Sequence, residues 1–408
     1  MLQGARSAHL PQSTLEGLGV AIRSLADLAG FADRNGVRRV ADSIWERQLL
    51  RSALLDVRDV GSGTVATGQD RDRRPSRARS GWPAPDLRHR SDWRLLRAQI
   101  ELGREKHTPW GIRRPRRFSP LKRGCELVRD GLASTGLLPT LTRFSLDIRR
   151  TEIDLTFADL PAAFDGYRIL QISDPHFDAI DGIAETIRAR AAGVPVDLCV
   201  FTGDYRAAET GSFRQRSILA PMARIVDEIA ASDGSLAVLG NHDTHEMVEP
   251  LEEVVGVRVL TNEQVEVARD GHTISLLGFD DPYRFYSASS RHFAATLASQ
   301  LGTGEQESSQ AHPFRIMLVH TPDLAEKASR LGCALYLCGH THGGQICLPG
   351  GRPIVQHLHK ETRLGRGLWR RRQMVGYTSL GAGVAGSLPI RLFAPGEITL
   401  FRLRRAKA

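Results

Sequence analysis

Five short polar motifs in the second half of the chain carry the residue types that metal chemistry needs. They are Asp174-Pro175-His176, Gly203-Asp204, Gly240-Asn241-His242-Asp243, His320, and Gly339-His340-Thr341-His342. Carboxylate oxygen, amide oxygen and imidazole nitrogen, with no thiolate among them, suit borderline divalent metals such as Mn, Fe or Zn. A structural zinc site would be expected to use cysteine. Asp174, His176, Asp204, Asn241, His320, His340 and His342 are the candidate ligands. They exceed what one tetrahedral ion takes and divide into two sets sharing a carboxylate. Two cations roughly 3.5–4 Å apart can clamp the attacking and departing oxygens of an in-line phosphoryl displacement. A bridging hydroxide between them would form near neutral pH. The pattern predicts a dinuclear metal centre in a hydrolase.

The segments before each motif show how such side chains are brought together. Residues 168–173, 197–202, 235–239, 315–319 and 334–338 are apolar runs of strand length. Strands covered on both faces read this way, and their carboxyl ends open into the crevice where ligands bind. All five motifs are therefore expected on one edge of one sheet.

The order D-x-H, G-D, G-N-H-D, H, G-H-x-H resembles the calcineurin-like metallophosphoesterases. The extension Gly339-His340-Thr341-His342-Gly343-Gly344-Gln345-Ile346 resembles a bacterial branch that includes UDP-2,3-diacylglucosamine pyrophosphatases and related phosphodiesterases. The likeness takes in Leu160-Pro161 and Phe164-Asp165-Gly166 at one end, and Leu388-Pro389-Ile390-Arg391 and Pro395-Gly396-Glu397-Ile398 at the other, about residues 146–408. Five blocks in order at strand ends are far more specific than any one of them.

Carried over position by position, the resemblance implies that Asp174, His176 and His342 hold one metal, and that Asn241, His320 and His340 hold the other. Asp204 bridges them. His242 is left free to protonate the leaving oxygen or to steady charge on the phosphoryl group, roles suited to an imidazole. One departure is Pro175, where this branch has Leu; another is Asp178, where it has Gly. The ligand side chains are kept, so metal binding is expected. Asp178 is read either as a hydrogen-bond partner of a ligand histidine or as a solvated loop residue.

Charge divides the chain. Residues 1–150 carry 29 Lys and Arg against 16 Asp and Glu, whereas residues 151–408 carry 26 against 30. The formal charge of +9 thus belongs to the N-terminal region. Two stretches are expected: a basic, partly helical and partly disordered region over 1–145, with a flexible linker near 61–91, and a metallophosphoesterase domain over 146–408. Helical periodicity appears over residues 15–55 and 93–138, and Arg113-Arg114-Pro115-Arg116-Arg117 lies within the latter. That run beside Trp110, Phe118 and Leu121 suggests contact with an anionic membrane surface; the alternative is a solvated helix face. No nucleic-acid module accompanies the charge. Neither a secretion signal nor an apolar run of roughly 20 residues is present, and the location is read as cytoplasmic, peripheral on the inner membrane face. The five cysteines fit no zinc spacing and read as free thiols.

Beyond residue 151 the rhythm is α/β. Strands are expected at 152–157, 257–260, 264–268, 273–278 and 397–403 besides the five above, with helices at 182–192, 216–231 and 291–301. Pro221 offers a break in the second helix. Two mixed sheets packed face to face with outer helices accommodate this, the four-layer α-β-β-α sandwich that the resemblance also implies. Asp280 and Asp281 read as a strand-ending turn, Gln345 as either a phosphate contact or a turn residue. His245, His312, His357 and His359 read as loop histidines, and residues 370–372 as a solvated loop, with contact to an anionic head group as the alternative. The function predicted is metal-dependent hydrolysis of a phosphodiester or pyrophosphate, with a lipid-linked substrate as the finer reading. A nuclease, or a metal-binding scaffold without activity, stands as the alternative.

Overall fold

Central strands that are apolar on both faces need cover on both sides, and the chain supplies it by stacking two sheets and flanking each with helices. The computed structural model describes residues 82–106, 120–208, 215–301, 313–354 and 361–407. These belong to one compact unit, Arg74–Ala408. Among the described residues three helices come first: α1 (Leu87–Lys106), α2 (Pro120–Ser134) and α3 (Leu138–Phe144). The helices expected over residues 15–55 and the arginine run at 113–117 lie outside the described residues, as do His312, His357, His359 and most of the expected linker.

The first sheet has the order β1-β14-β2-β3-β4-β5. Its strands are β1 (Ile148–Phe157), β2 (Arg168–Ile172), β3 (Leu198–Phe201), β4 (Ser235–Ala237), β5 (Arg258–Val259) and β14 (Gly396–Arg405). Strands β2 to β5 run parallel, and β14, inserted between β1 and β2, is parallel to β1 and antiparallel to β2. The second sheet has the order β12-β13-β9-β8-β7-β6. It comprises β6 (Glu263–Arg269), β7 (His272–Gly278), β8 (Phe314–Leu318), β9 (Cys333–Cys338), β12 (Gly367–Arg371) and β13 (Met374–Thr378). Its four inner strands are parallel, and both edge strands are antiparallel. Burial follows position. β3 and β8 are buried throughout, whereas β6 at the edge alternates. A two-stranded hairpin, β10 (Cys347–Leu348) and β11 (Arg352–Pro353), stands apart.

Three apolar layers hold the four structural layers together. Leu155, Ile169, Val200, Leu236, Ile274, Ile316 and Leu335 fill the space between the sheets. Helices α4 (Ile183–Ala191) and α5 (Gln215–Ile229) cover the first sheet through Ile187, Ile218, Met222 and Ile225. Helices α6 (Ala288–Ser299) and α7 (Ala325–Arg330) cover the second through Leu297 and Ala328. This is the expected sandwich. Pro221 does not break α5. A mid-helix proline costs about 3 kcal/mol, and burial of Ile218, Leu219, Met222, Ile225 and Ile229 along one face outweighs it at about 1.5–3 kcal/mol for each large side chain.

Some expectations need correcting. The five motif-bearing strands do not lie in one sheet: β2, β3 and β4 belong to the first, and β8 and β9 to the second. Arg370 and Arg371 are part of edge strand β12, and Arg371 and Arg372 pair with Glu326. Helix α1 begins at Leu87, inside the span read as linker, and lies upstream of residue 146, yet it buries Trp93 and Arg97 against the sheets' loops.

Candidate metal centre

The two sheets deliver their strand ends to one place, and cross-sheet hydrogen bonds lock the junction. Gln171 Nε2 on β2 donates to the Cys338 carbonyl on β9 at 2.9 Å. The His340 amide donates to both carboxylate oxygens of Asp174 at 3.0 and 3.1 Å. Gly339 N reaches the His320 carbonyl at 2.8 Å, and Asp174 N the Gly203 carbonyl at 3.0 Å. Four of the five motifs are thus tied to another through backbone groups.

Three groups of metal-ligand atoms result: Asp174, His176 and His342; His176, Asp204 and His242; and Asp204, His320 and His340. Asp204 and His176 each belong to two of them. Asp204 Oδ2 lies 3.2 Å from His320 Nε2 and 3.8 Å from Nε2 of both His176 and His242. Asn241 Oδ1 is 3.2 Å from His320 Nε2. All seven candidate ligands and His242 are brought together. Asp178 is not: its Oδ1 accepts from Ala207 N at 2.6 Å. Gln345 is occupied with backbone, donating to the carbonyls of Ala385 and Leu388 and accepting from Ala385 N. It is a loop brace. Asp281 accepts from the amides of Tyr283 and Arg284, the expected turn.

The donor set fits divalent metal ions. His176 Nδ1 and His320 Nδ1 sit 2.7 and 2.8 Å from the carbonyls of Arg206 and Thr202, which accept the Nδ1–H hydrogen bond and so favour the tautomer whose Nε2 faces inward. His176 Nε2 then stands 3.1 Å from His342 Nε2, and His320 Nε2 stands 3.3 Å from His340 Nδ1. Such crowding of nitrogen donors suits neighbouring ligands of one cation. Burial, reinforced by the charge of Asp204, pushes the Asp174 carboxyl up from its ordinary range. Burial also opposes the charge on Asp204, but His320 and His242 outweigh it and hold that carboxyl well down. His342 is held well below the usual imidazole value by burial, with His176 and Arg391 adding to it.

Five of these residues have left-handed backbones: Asp174, His176, Asp204, His340 and His342, with φ of 50°, 41°, 58°, 75° and 50°. Side chains other than glycine adopt this region rarely and at a cost of about 1–3 kcal/mol. Gly240 and Gly339 admit the close approach of these loops. A Cβ on Gly339 would collide with Ser173 Oγ and Asp174 Oδ2, and one on Gly240 with Asp204 Oδ1. Gly339→Ala is expected to push the Asp174 carboxylate aside and weaken metal binding about 10–100-fold, as for other supporting contacts of metal ligands. Titration of the metal-free variant with Mn checks this; unchanged affinity would show that the loops have slack.

Residues that the sequence left unassigned complete the centre. The Asp243 carboxylate accepts from the amides of Gly240, Asp204 and Tyr205 at 2.8–2.9 Å, tying two motif loops together. Burial, then the charge of Asp204, pushes its carboxyl up to about 6. Arg391 Nη2 lies 3.1 Å from His342 Nδ1, while its other donors reach the carbonyls of Gly383, Ala394 and Leu380. The closing block Leu388 to Arg391 was the available signal for it.

Comparison with known proteins places this arrangement. Residues 167–344 match the family model for calcineurin-like phosphoesterases. The metallophosphoesterase YkuE of Bacillus subtilis strain 168 is 29% identical over 269 residues, 63% of this chain and 86% of its own. The phosphodiesterase YaeI of Escherichia coli K12 is 27% identical, over 58% of this chain and 82% of its own. The UDP-2,3-diacylglucosamine pyrophosphatase LpxG of Chlamydia muridarum is 25% identical, over 62% of this chain and 89% of its own.

Proposed function

Residues 167–344 of this chain are a calcineurin-like phosphoesterase domain, and we propose that the protein hydrolyses a phosphodiester or pyrophosphate at a dinuclear metal centre. The observation that carries the proposal is Asp204, whose Oδ2 faces imidazoles of both ligand groups. Asp174, His176 and His342 would hold one divalent ion, Asn241, His320 and His340 the other, with Asp204 between them. Bound metals would supply positive charge for the phosphoryl oxygens and a water acidic enough to attack at neutral pH.

The chain's own groups do the rest. The carbonyls of Arg206 and Thr202 keep His176 and His320 in the tautomer that presents Nε2. His242 keeps its ring in place by donating Nδ1–H to the Ala207 carbonyl at 2.7 Å, which points Nε2 into the site. Its side chain is 11% exposed, whereas those of His176 and His320 are fully buried. That exposure suits a group that meets substrate and hands a proton to the departing oxygen.

A lipid-linked substrate at a membrane surface is the finer reading. Leu127 and Val128 on α2, Leu137, and Phe144 on α3 are each more than half exposed. Ser145 Oγ accepts from Arg391 N at 2.8 Å, which joins the end of α3 to the segment touching His342; Leu392 and Phe393 beside it are also exposed. Amphipathic, basic helices of this kind favour anionic interfaces. Among the described residues no helix is long and apolar enough to cross a membrane.

Purified protein refilled with Mn is expected to cleave a generic diester, to lose that activity with a chelator, and to prefer nucleotide-sugar lipids in anionic vesicles over soluble glycerophosphodiesters and nucleic acids. Faster cleavage of DNA or RNA would make it a nuclease. Bound metal without turnover of any of these would make it a scaffold.

A further inference from the structure

We propose that Arg97 is a positioning residue for the loop bearing Asn241 and His242, which makes helix α1 a working part of the centre although it lies outside the family-matched residues; the idea rests on the proposed metal-dependent hydrolysis. Arg97 is buried with its side chain fully covered, an unusual place for a guanidinium. Two of its acceptors are backbone carbonyls: Nη2 donates to Gly240 O at 3.0 Å and to Asp243 O at 2.8 Å. Those two carbonyls bracket Asn241 and His242. Nη1 donates to Asp280 Oδ1, Nε donates to Glu101 Oε1 at 3.0 Å, and the guanidinium lies 3.5 Å over the Phe285 ring.

The anchors are themselves fixed. Asp280 follows β7 of the second sheet, accepts from Trp93 Nε1 at 2.8 Å, and donates its amide to Asn262 Oδ1 at 3.1 Å. Glu101, one turn along α1, accepts from His245 N at 2.9 Å and meets His245 Nδ1 at 2.6 Å. Carbonyl 240, carbonyl 243 and amide 245 of one loop are therefore all held by one helix. Arg97 spans from the second sheet to the loop after β4 of the first, across the seam where the centre sits.

A buried ion pair by itself is weak reason to expect stability, because desolvation offsets much of the attraction. The geometry has a different use. A planar fork with five donors can grip a carboxylate and two carbonyls at fixed angles, which an ammonium cannot. Placement of ligand and catalytic groups within about 0.5 Å decides whether a centre works. Arg97 donates to the backbone carbonyls on either side of Asn241 and His242, and it acts through that backbone.

The test uses the full-length chain with Arg97→Ala, Arg97→Lys, Trp93→Phe and, as a control on the same helix, Arg94→Ala, whose side chain is half exposed. Mn affinity is measured on the metal-free proteins, and kcat and KM on a diester. Arg97→Ala and Arg97→Lys are expected to weaken Mn binding about 10–100-fold, the usual effect of losing a support behind metal ligands. The loss should fall on kcat with KM little changed, and millimolar methylguanidinium should restore part of it in Arg97→Ala but not in Arg97→Lys. Trp93→Phe, a gentler change, should show the same pattern more weakly. If Arg97→Ala fails to fold, Arg97→Lys and Trp93→Phe decide the matter. Folded variants with the Mn affinity and kcat of the Arg94→Ala control would overturn the proposal. Should the unmodified protein bind Mn but cleave no diester, the functional reading fails while Mn affinity still tests Arg97.

Discussion

Asp204→Asn is expected to empty the centre of most of its metal and to lower diester turnover on the order of 10³-fold or more, since several kcal/mol of charge stabilisation depend on it and each 1.36 kcal/mol is tenfold in rate. The substitution is nearly isosteric. Oδ1 still accepts from the His242 amide, a 2.9 Å bond that holds the loop. What changes is the atom facing the imidazoles of His176, His242 and His320, an amide group replacing the anionic Oδ2. The fold should persist, because the side-chain shape and the Oδ1 bond to the His242 amide are kept, although the attraction of His320 and His242 for the carboxylate is lost. Metal analysis, circular dichroism and diester kinetics on the same sample check all three points. A variant with full metal content and near-normal turnover would remove Asp204 from the middle of the centre.

His242→Gln separates proton transfer from metal binding. His242 sits in a group with His176 and Asp204 that could itself hold an ion, so a ligand role is geometrically open. If it is the proton donor, the variant should keep its metal and lose about 10²–10⁴-fold in kcat, the range of acid–base catalysis. The deficit should shrink for a nitrophenyl diester, whose leaving oxygen needs little protonation. An equal deficit for all leaving groups would point to charge stabilisation, and loss of metal would make His242 a ligand.

The site was legible in the sequence for a physical reason. Inner parallel strands must be apolar on both faces, so polar residues at their ends stand out, and all eight motif residues proved to be neighbours. The partition into two sheets was not legible, because an apolar run such as residues 315–319 does not say which strand it pairs with. Edge strand β12 was hidden by its own arginines, which an edge tolerates and a central strand would not. The reach of helix α1 into the centre was the larger omission. A buried Arg97 has the same letter as a solvated one, and its partners Gly240 and Asp280 lie 143 and 183 residues away. Nothing local distinguishes a basic helix that coats a surface from one that reaches into a seam.

The left-handed backbones of Asp174, His176, Asp204, His340 and His342 bear on how such a protein changes over generations. Glycine would relax the backbone at each of these positions by about 1–3 kcal/mol, although at Asp174 and Asp204 it would also remove carboxylates that the His340 and His242 amides donate to. Random substitution in a lineage with no use for the side chains would therefore relieve backbone strain while erasing the centre. A sequence holding Asp or His at all five positions sits uphill of its own stability optimum, where only continued use of those side chains would keep it.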